Sequence, residues 1–167
     1  TVNGIPQTAA IGEVEARGGF AVDLIDLHAL AGDLPGRLPA GHPSRGDYPP
    51  EVRPLAGRIG AADGFVLVTP EYNHGYPGSL KDAIDLVNRE WRAKRVAYVS
   101  YGGMSGGMRA VEQLRQVMAE LHAVSVRDAV AIPFARRSFT DGTAPDDPDG
   151  MIADGVTALL RRLAWRA

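Results

Sequence analysis

Short apolar runs alternate with single helical segments along this chain, and that alternation limits the folds available to it. Four runs are rich in Val, Ile and Leu without strict alternation, as in strands that are covered on both faces. Between them lie segments whose apolar residues recur every three or four positions, the period of a helix packed on one side. Strands joined by single helices form right-handed units of a parallel sheet. The predicted strands are Phe20–Leu27, Gly64–Thr69, Arg95–Tyr101 and Ala123–Ile132.

The helical segments each have one apolar face. After the second predicted strand, Leu80, Ile84, Val87 and Trp91 recur at the spacing of a single helix face. Pro54 is tolerated only in a first helical turn, so the helix that contains it begins close to that residue. The predicted helices start at about Pro6 and then cover Glu51–Asp63, Ser79–Trp91, Met108–His122 and Gly150–Trp165.

The composition is that of an ordinary globular protein. Of the 167 residues, 45% are hydrophobic and 23% charged, which predicts one domain, residues 1–167, with a real core. The net charge is −2 and the Lys and Arg residues are scattered, so no nucleic-acid partner is indicated. Cysteine is absent and no apolar run approaches about 20 residues, so neither disulfides nor a membrane span is expected. The first residues lack a signal-peptide pattern, and we expect a cytoplasmic protein.

Two loops carry more specific residues than a turn requires. TPEYNHGYPG begins at Thr69 and SYGGMSGG begins at Ser100, each at the end of a predicted strand. In open α/β sheets ligands bind at the carboxyl ends of the strands, where both loops are expected. Tyr72, His74 and Tyr101 offer aromatic faces or polar contacts there. Four glycines would leave bare main chain for a flat aromatic ligand: Gly102, Gly103, Gly106 and Gly107.

The pattern PEYN-x-x-x-P-x-x-LK-x-A-ID in the first loop and its helix resembles the signature of the NADPH-dependent FMN reductase family, which includes quinone, chromate and azo-dye reductases. SYGG-x-SGG followed by RAVEQLRQV is similar to the family's second flavin loop and the helix after it. The similarity covers about Phe20 to Ile132, in the family's order. It implies an α/β, flavodoxin-like, doubly wound parallel sheet of five strands in the order 2-1-3-4-5, with helices on both faces.

The resemblance also implies which residues meet the cofactor. Main-chain groups of the first loop would bond the polar edge of the isoalloxazine ring of FMN, and the second loop would meet the same ring. The flavin supplies the hydride chemistry, so no catalytic acid–base pair is predicted. With His74 and Gly106 added from the loop patterns themselves, the predicted cofactor-binding residues are Pro70, Glu71, Tyr72, Asn73, His74, Ser100, Tyr101, Gly102, Gly103, Ser105 and Gly106.

The start of the chain departs from the family. Family members begin with an apolar strand and a Ser/Arg-rich loop that binds the FMN phosphate at a helix N-terminus. Here TVNGIPQTAAIGEVEARGG supplies only the helix, with Asn3 and Gly4 before it. We therefore expect the first, central strand to be missing from this chain, through a segment omitted before Asn3 or ahead of Thr1. Without the phosphate loop, weak FMN binding is expected.

Other polar residues favour structural interpretations. The four histidines share no metal-ligand spacing, and no metal site is predicted. The aspartates of APDDPDG indicate a turn before the last helix rather than a magnesium site. Trp91 is interpreted as a core or subunit-contact residue. Arg115, with its acidic neighbours, is interpreted as part of the solvated face of its helix.

Three functions stay open. The resemblance implies an FMN-dependent oxidoreductase in which NADPH or NADH reduces the flavin and a small acceptor reoxidises it; free flavin, a quinone, an azo compound and a metal oxyanion are the candidates. The alternatives are a non-catalytic flavin-binding or electron-carrier module, which a net charge of −2 does not favour, and a flavodoxin-like scaffold without flavin. The resemblance further implies a homodimer or homotetramer formed through helix Ser79–Trp91 and its neighbour.

Overall fold

A computed structural model describes residues 43–139 and 147–164, together with 18–30, 34–35 and the single positions Gly12, Val14 and Glu15. Within this part of the chain, three strands form one sheet: β1 (Gly64–Pro70), β2 (Arg95–Tyr101) and β3 (Val124–Ile132). The helices are α1 (Arg53–Ala61), α2 (Gly78–Asp85), α3 (Met108–Glu120), α4 (Ala135–Ser138) and α5 (Met151–Ala164), and short 3-10 turns occupy Pro43–Arg45 and Arg89–Trp91.

The sheet is parallel, and strands consecutive in sequence are neighbours in space. β1 and β2 pair in register from Gly64–Arg95 to Pro70–Tyr101. β3 pairs with the other edge of β2, which gives the order β1-β2-β3. These strands match the third, fourth and fifth of the predicted order 2-1-3-4-5, and this part of the order is confirmed. All strands therefore end at the same edge of the sheet, where both conspicuous loops emerge.

Each face of the sheet is covered by helices. Side chains of β2 alternate between the two faces, as the strand period of two requires. Val96 and Tyr98 are buried in one apolar cluster with residues of α1, α2 and α3. Ala97 and Val99 are buried in a second cluster, to which α5 contributes most of the helical residues. The predicted doubly wound arrangement is therefore confirmed.

The strand predicted at Phe20–Leu27 is wrong. Residues 20–26 belong to no regular element, and residues 27–30 form a turn. A strand exists only through hydrogen bonds to a neighbouring strand, and the described strands pair only with one another. The segment is instead attached by side chains: Arg58 Nε of α1 donates to Asp23 Oδ2 at 2.9 Å. Val22 and Leu24 stay exposed.

The helix predicted at Ser79–Trp91 ends earlier, at Asp85. The Val87 amide bonds to Ile84, three residues back, at 3.3 Å. The Asn88 amide then donates to the Tyr48 hydroxyl at 3.2 Å, so the helical ladder does not resume. Trp91 then lies in a separate 3-10 turn, where it is 4% exposed and packs on Phe65 at a ring-centroid distance of 4.7 Å. Trp91 is thus a core residue of its own chain, and not a subunit contact.

Arg115 of α3 is not part of a freely solvated face. The pairing of β2 with β3 is irregular between Val96 and Tyr98, because β3 places extra residues opposite β2. Arg115 donates from Nη1 to the carbonyl of Val126 at 2.6 Å and from Nη2 to that of Arg127 at 2.8 Å. The guanidinium therefore satisfies carbonyls that the bulge removes from the regular ladder.

The ends of the described chain bear on three further predictions. The predicted first helix lies largely outside the described residues, although Gly12, Val14 and Glu15 are helical. The turn predicted before α5 is confirmed for its described part, where the Gly150 amide donates to the Asp147 carbonyl at 3.0 Å, and Asp146 lies outside the described residues. Asp147 Oδ2 also accepts hydrogen bonds from the amides of Ile152 and Ala153. Among the described residues, no helix combines the length and apolar character needed to cross a membrane.

Candidate functional site

Two loops meet at the carboxyl edge of the sheet. Loop 1, residues 71–77, follows β1, and loop 2, residues 102–107, follows β2. Because β1 and β2 are parallel neighbours, the amide of Glu71 still donates to the carbonyl of Tyr101 at 3.0 Å, one step beyond the strands. The loops therefore leave the sheet side by side.

Loop 1 contains a tight turn with an unusual backbone. Tyr72 and Gly75 exchange two main-chain hydrogen bonds, of 2.8 and 3.0 Å, around Asn73 and His74. Both central residues have positive φ, 49° for Asn73 and 75° for His74, as in a type I′ turn. Asn and His are among the non-glycine residues that adopt this region most often, but the conformation still costs energy, so the turn stores backbone strain. Within the described chain, the amides of Asn73 and His74 donate to no backbone acceptor.

The side chain of Glu71 is turned away from solvent and is 8% exposed. Its carboxylate accepts hydrogen bonds from Arg109 Nη1 at 2.9 Å and from the Arg109 amide at 3.2 Å. Burial alone would raise the pKa of Glu71, but the hydrogen bonds from Ser105 and Arg109 outweigh it, and the pKa lies below its ordinary value.

The glycines of loop 2 differ in how much space surrounds them. A Cβ on Gly107, which has φ 89°, would lie 2.7 Å from Ser100 Cβ and 2.9 Å from the Tyr101 nitrogen. A Cβ on Gly106, at φ 60°, would approach the backbone of Pro133 and Ala131 to 3.1 and 3.2 Å. These two glycines are thus required by close packing.

Gly103 is different, because a Cβ there would meet no atom within 4 Å and its backbone lies outside the positive-φ range. Nothing in the described structure demands a glycine at this exposed position. The space beside the Gly103 Cα is therefore open, as the close approach of a planar ligand to the main chain requires.

Two tyrosines border the loops. Tyr101 ends β2 and is half-buried, and Tyr72 of loop 1 is exposed. Burial raises the pKa of Tyr101, and the nearby Tyr72 raises it further, so the phenols lie within electrostatic reach of each other. The two side chains bring an aromatic character to the junction of loops 1 and 2.

Large apolar side chains are left exposed at this edge. Met104 of loop 2 is 84% exposed, and Met108 at the start of α3 is 59% exposed. Phe134, which follows β3, is also exposed and has φ 48°, and its amide donates to the carbonyl of Gly103 at 2.9 Å. With Tyr72, these residues concentrate uncovered apolar surface around loop 2, as is usual for a surface that binds a ligand or a partner.

The structure brings the predicted site residues together at one edge but divides their roles. Within the described chain the amides of Asn73 and His74 donate to no backbone acceptor, and a Cβ at Gly103 would meet no atom within 4 Å. The Ser100 side chain, in contrast, is fully buried and donates to the Gly106 carbonyl at 2.9 Å. The carboxylate of Glu71 is occupied by Arg109 of α3.

Sequence reasoning missed three residues that border this edge: Arg109, Gln113 and Phe134. The first two stand four residues apart on the helix after loop 2, and that spacing is the signal that could have identified them. For Phe134 no sequence pattern gave a signal. Among the described residues, no three His, Asp or Glu side chains cluster as metal ligands.

Proteins of known sequence resemble this chain. The profile described as NADPH-dependent FMN reductase matches residues 6–137. An NAD(P)H-dependent FMN reductase of Schizosaccharomyces pombe is 43% identical over 85 residues, 51% of this chain and 42% of that protein. An NAD(P)H:quinone oxidoreductase of Solanum tuberosum is 35% identical over 128 residues, 72% of this chain and 66% of that protein. The chain thus matches less than two thirds of the length of each relative.

A solved structure shares the architecture. FerB, a flavoenzyme NAD(P)H:(acceptor) oxidoreductase from Paracoccus denitrificans, superposes with a TM-score of 0.77 and 24% identity, over 98% of this chain and 90% of that one. At this identity the likeness shows the fold alone. It confirms the predicted flavodoxin-like fold class.

Proposed function

This chain belongs to the NADPH-dependent FMN reductase family, and from that premise we propose that loops 1 and 2 bind FMN and that the protein is an NAD(P)H-dependent oxidoreductase. FMN and NADPH or NADH are the cofactors that this family membership implies. The electrons would pass to a small acceptor, of which quinones and free flavin have the support of the names of relatives.

The observation that carries the proposal is the pairing of a strained turn with an open glycine surface at one edge of a parallel sheet. The turn in loop 1 leaves the amides of Asn73 and His74 without a backbone acceptor in the described chain, ready to donate to the polar edge of a flavin. A Cβ at Gly103 would meet no atom within 4 Å, so the space beside its Cα is open to a flat ring. The residues present therefore fit an isoalloxazine ring.

The bound flavin would accept a hydride from the nicotinamide and pass electrons on to the acceptor. The residues of this chain would bind the flavin, orient it and cover it. Loops 1 and 2 hold the donors in one arrangement before binding, which lowers the entropy that binding costs. Exposed Met104, Met108 and Phe134 supply apolar surface beside the ring, where an aromatic acceptor such as a quinone would exclude water.

Two measurements test the proposal. FMN is titrated into the purified protein, with quenching of flavin fluorescence as the signal, and saturable one-to-one binding is expected. NADPH or NADH oxidation is then followed at 340 nm with a quinone, an azo dye, chromate or free FMN as acceptor. Acceptor-dependent oxidation supports the enzyme. Tight FMN binding without NAD(P)H oxidation would favour an electron carrier, and no FMN binding would favour a scaffold.

Three sequence expectations stay predictions beside this proposal: a single domain over residues 1–167, a cytoplasmic location, and assembly as a homodimer or homotetramer. The structure removes one argument for the assembly, since Trp91 is buried within its own chain. A different surface is available, because the exposed apolar residues around loop 2 could be covered by a second copy.

A further inference from the structure

Loop 1 is attached to α3 at two points. At the first, the Glu71 carboxylate receives two hydrogen bonds from Arg109, one from the guanidinium and one from the backbone amide. At the second, Gln113 Nε2 donates to the carbonyl of His74 at 3.0 Å. Arg109 and Gln113 are four residues apart on α3 and therefore lie on one face of that helix.

The second attachment brings the turn into close contact with α3. A Cβ on Gly75 would lie 2.9 Å from Gln113 Oε1, so the turn and the side chain of Gln113 are in close contact. The carbonyl that Gln113 binds belongs to His74, the residue with the more extreme positive φ of the turn. An external hydrogen bond at this residue helps to hold a backbone conformation that costs energy by itself.

The first attachment joins loop 1 to the helix that follows loop 2. Glu71 belongs to loop 1, and Arg109, the donor to its carboxylate, belongs to the first turn of α3, directly after loop 2. An ionised acceptor makes these hydrogen bonds shorter and stronger than neutral ones. This carboxylate therefore holds loop 1 against the start of α3.

We propose that Glu71 is a positioning residue, which with Arg109 and Gln113 latches the turn Tyr72–Gly75 onto α3 and so fixes its amides relative to Gly103. The proposal rests on the FMN-binding function proposed above. It assigns the Glu71 side chain a different role from the main chain of the same residue: the carboxylate acts on the protein, and only the backbone borders the ligand. We call the set Glu71, Arg109 and Gln113 the latch.

The first test needs no flavin. Hydrogen exchange of the Tyr72 and Gly75 amides is measured in the flavin-free protein, in which these amides close the turn. Glu71→Gln and Gln113→Ala should each speed exchange of both amides about tenfold, the fold-change that corresponds to one lost hydrogen bond of typical strength. The amides of β1 and β2 should keep their rates. Asp128→Asn, which removes the surface ion pair of Asp128 with Arg162, is the matched control and should change nothing in the loops.

The second test separates positioning from direct contact. Arg109→Met leaves Glu71 largely buried and without its charged partner, so FMN affinity should fall more in this variant than in Glu71→Gln. The double variant should bind FMN about as well as Glu71→Gln alone, because the unpaired carboxylate is then absent, and Arg109→Lys should restore part of the loss. Unchanged FMN affinity in Arg109→Met, with affinity lost only in Glu71→Gln, would mean that the carboxylate touches the ligand, and would overturn the proposal.

The two proposals can fail separately. Unchanged exchange of the Tyr72 and Gly75 amides in both latch variants would refute the latch whatever the flavin results are. Faster exchange in a protein whose wild type does not bind FMN would support the latch and refute the proposed function. Faster exchange of the strand amides as well would show a general loss of structure, and would also count against the latch.

Discussion

Replacing Gly103 by valine is expected to weaken FMN binding without weakening the fold. The structure separates these effects because a Cβ at Gly103 meets no atom within 4 Å and the backbone there is not in the left-handed region. Exposed substitutions of this kind usually change stability by no more than about 0.5 kcal/mol. If the flavin ring lies on the main chain of Gly103, the isopropyl group would occupy the place of the ring.

The size of the binding loss follows from the contact area. An aromatic group buries about 150–250 Å², and a displaced ring would lose about half of that contact. At about 25 cal/mol per Å² the loss is about 2–3 kcal/mol, which corresponds to a Kd about 30- to 140-fold weaker. Gly107→Val should have the opposite effect on stability and FMN affinity. Its Cβ would lie 2.7 Å from Ser100 Cβ at φ 89°, so the variant should lose stability first.

The assay pairs flavin fluorescence titration with urea denaturation for wild type and each variant. Gly57→Val is the matched control, since Gly57 is also exposed and open, but lies on α1 away from the carboxyl edge. Gly57→Val should bind FMN like wild type. An unchanged Kd in Gly103→Val would refute the placement of the ring on loop 2, and a large drop in its stability would refute the reasoning from open space.

Further predictions concern the loops, the charge of Glu71 and the assembly. Gly107→Ala should lower the free energy of unfolding by about 1–3 kcal/mol, measured by urea denaturation, because alanine must take a left-handed backbone; an equally stable variant would contradict the packing at Ser100. Asn73→Ala should weaken FMN binding, whereas Asn73→Gly, which accepts positive φ, should retain it if only the main chain matters; equal loss in both would assign the role to the amide side chain. The pKa of Glu71 is lowered in the folded state, so its stabilising contribution is present above its ordinary value of 4.5 and is lost as the pH falls through the lowered pKa. The free-energy difference between wild type and Glu71→Gln should therefore be constant near neutral pH and shrink on acidification below 4.5; a difference that grows would reverse the sign of the argument. Light scattering at micromolar concentration should return a dimer or tetramer, and a monomer would contradict the assembly expected from the family.

The strands and helices that form the sheet were predictable because local patterns determine them. The continuous apolar run Arg95–Tyr101 fits the central strand of a doubly covered parallel sheet, and it is β2 with the same bounds. Pro54 predicted the start of α1, since proline fixes φ and lacks an amide hydrogen. The placement of loops 1 and 2 at one edge followed as well, because parallel strands share a direction.

Contacts between distant residues were not predictable in this way. The helix after loop 1 does not continue to Trp91, since the amide of Asn88 donates to Tyr48, which is far away in sequence. Arg115 was expected to be solvated because no sequence pattern near it shows that β3 bulges beside it. In both cases the hydrogen-bond partner becomes a neighbour only after the chain has folded.

In the candidate site, too, local sequence predicted some features and contacts between distant residues decided others. The identities in PEYN and SYGG predicted where a ligand would lie, since prolines, glycines and polar residues without a turn duty mark a binding loop. Only the tertiary structure decided which glycine is required by packing, at Gly106 and Gly107, and which is left open, at Gly103. It also decided that the Glu71 carboxylate faces Arg109, because a carboxylate removed from water must find its donors wherever the fold brings them.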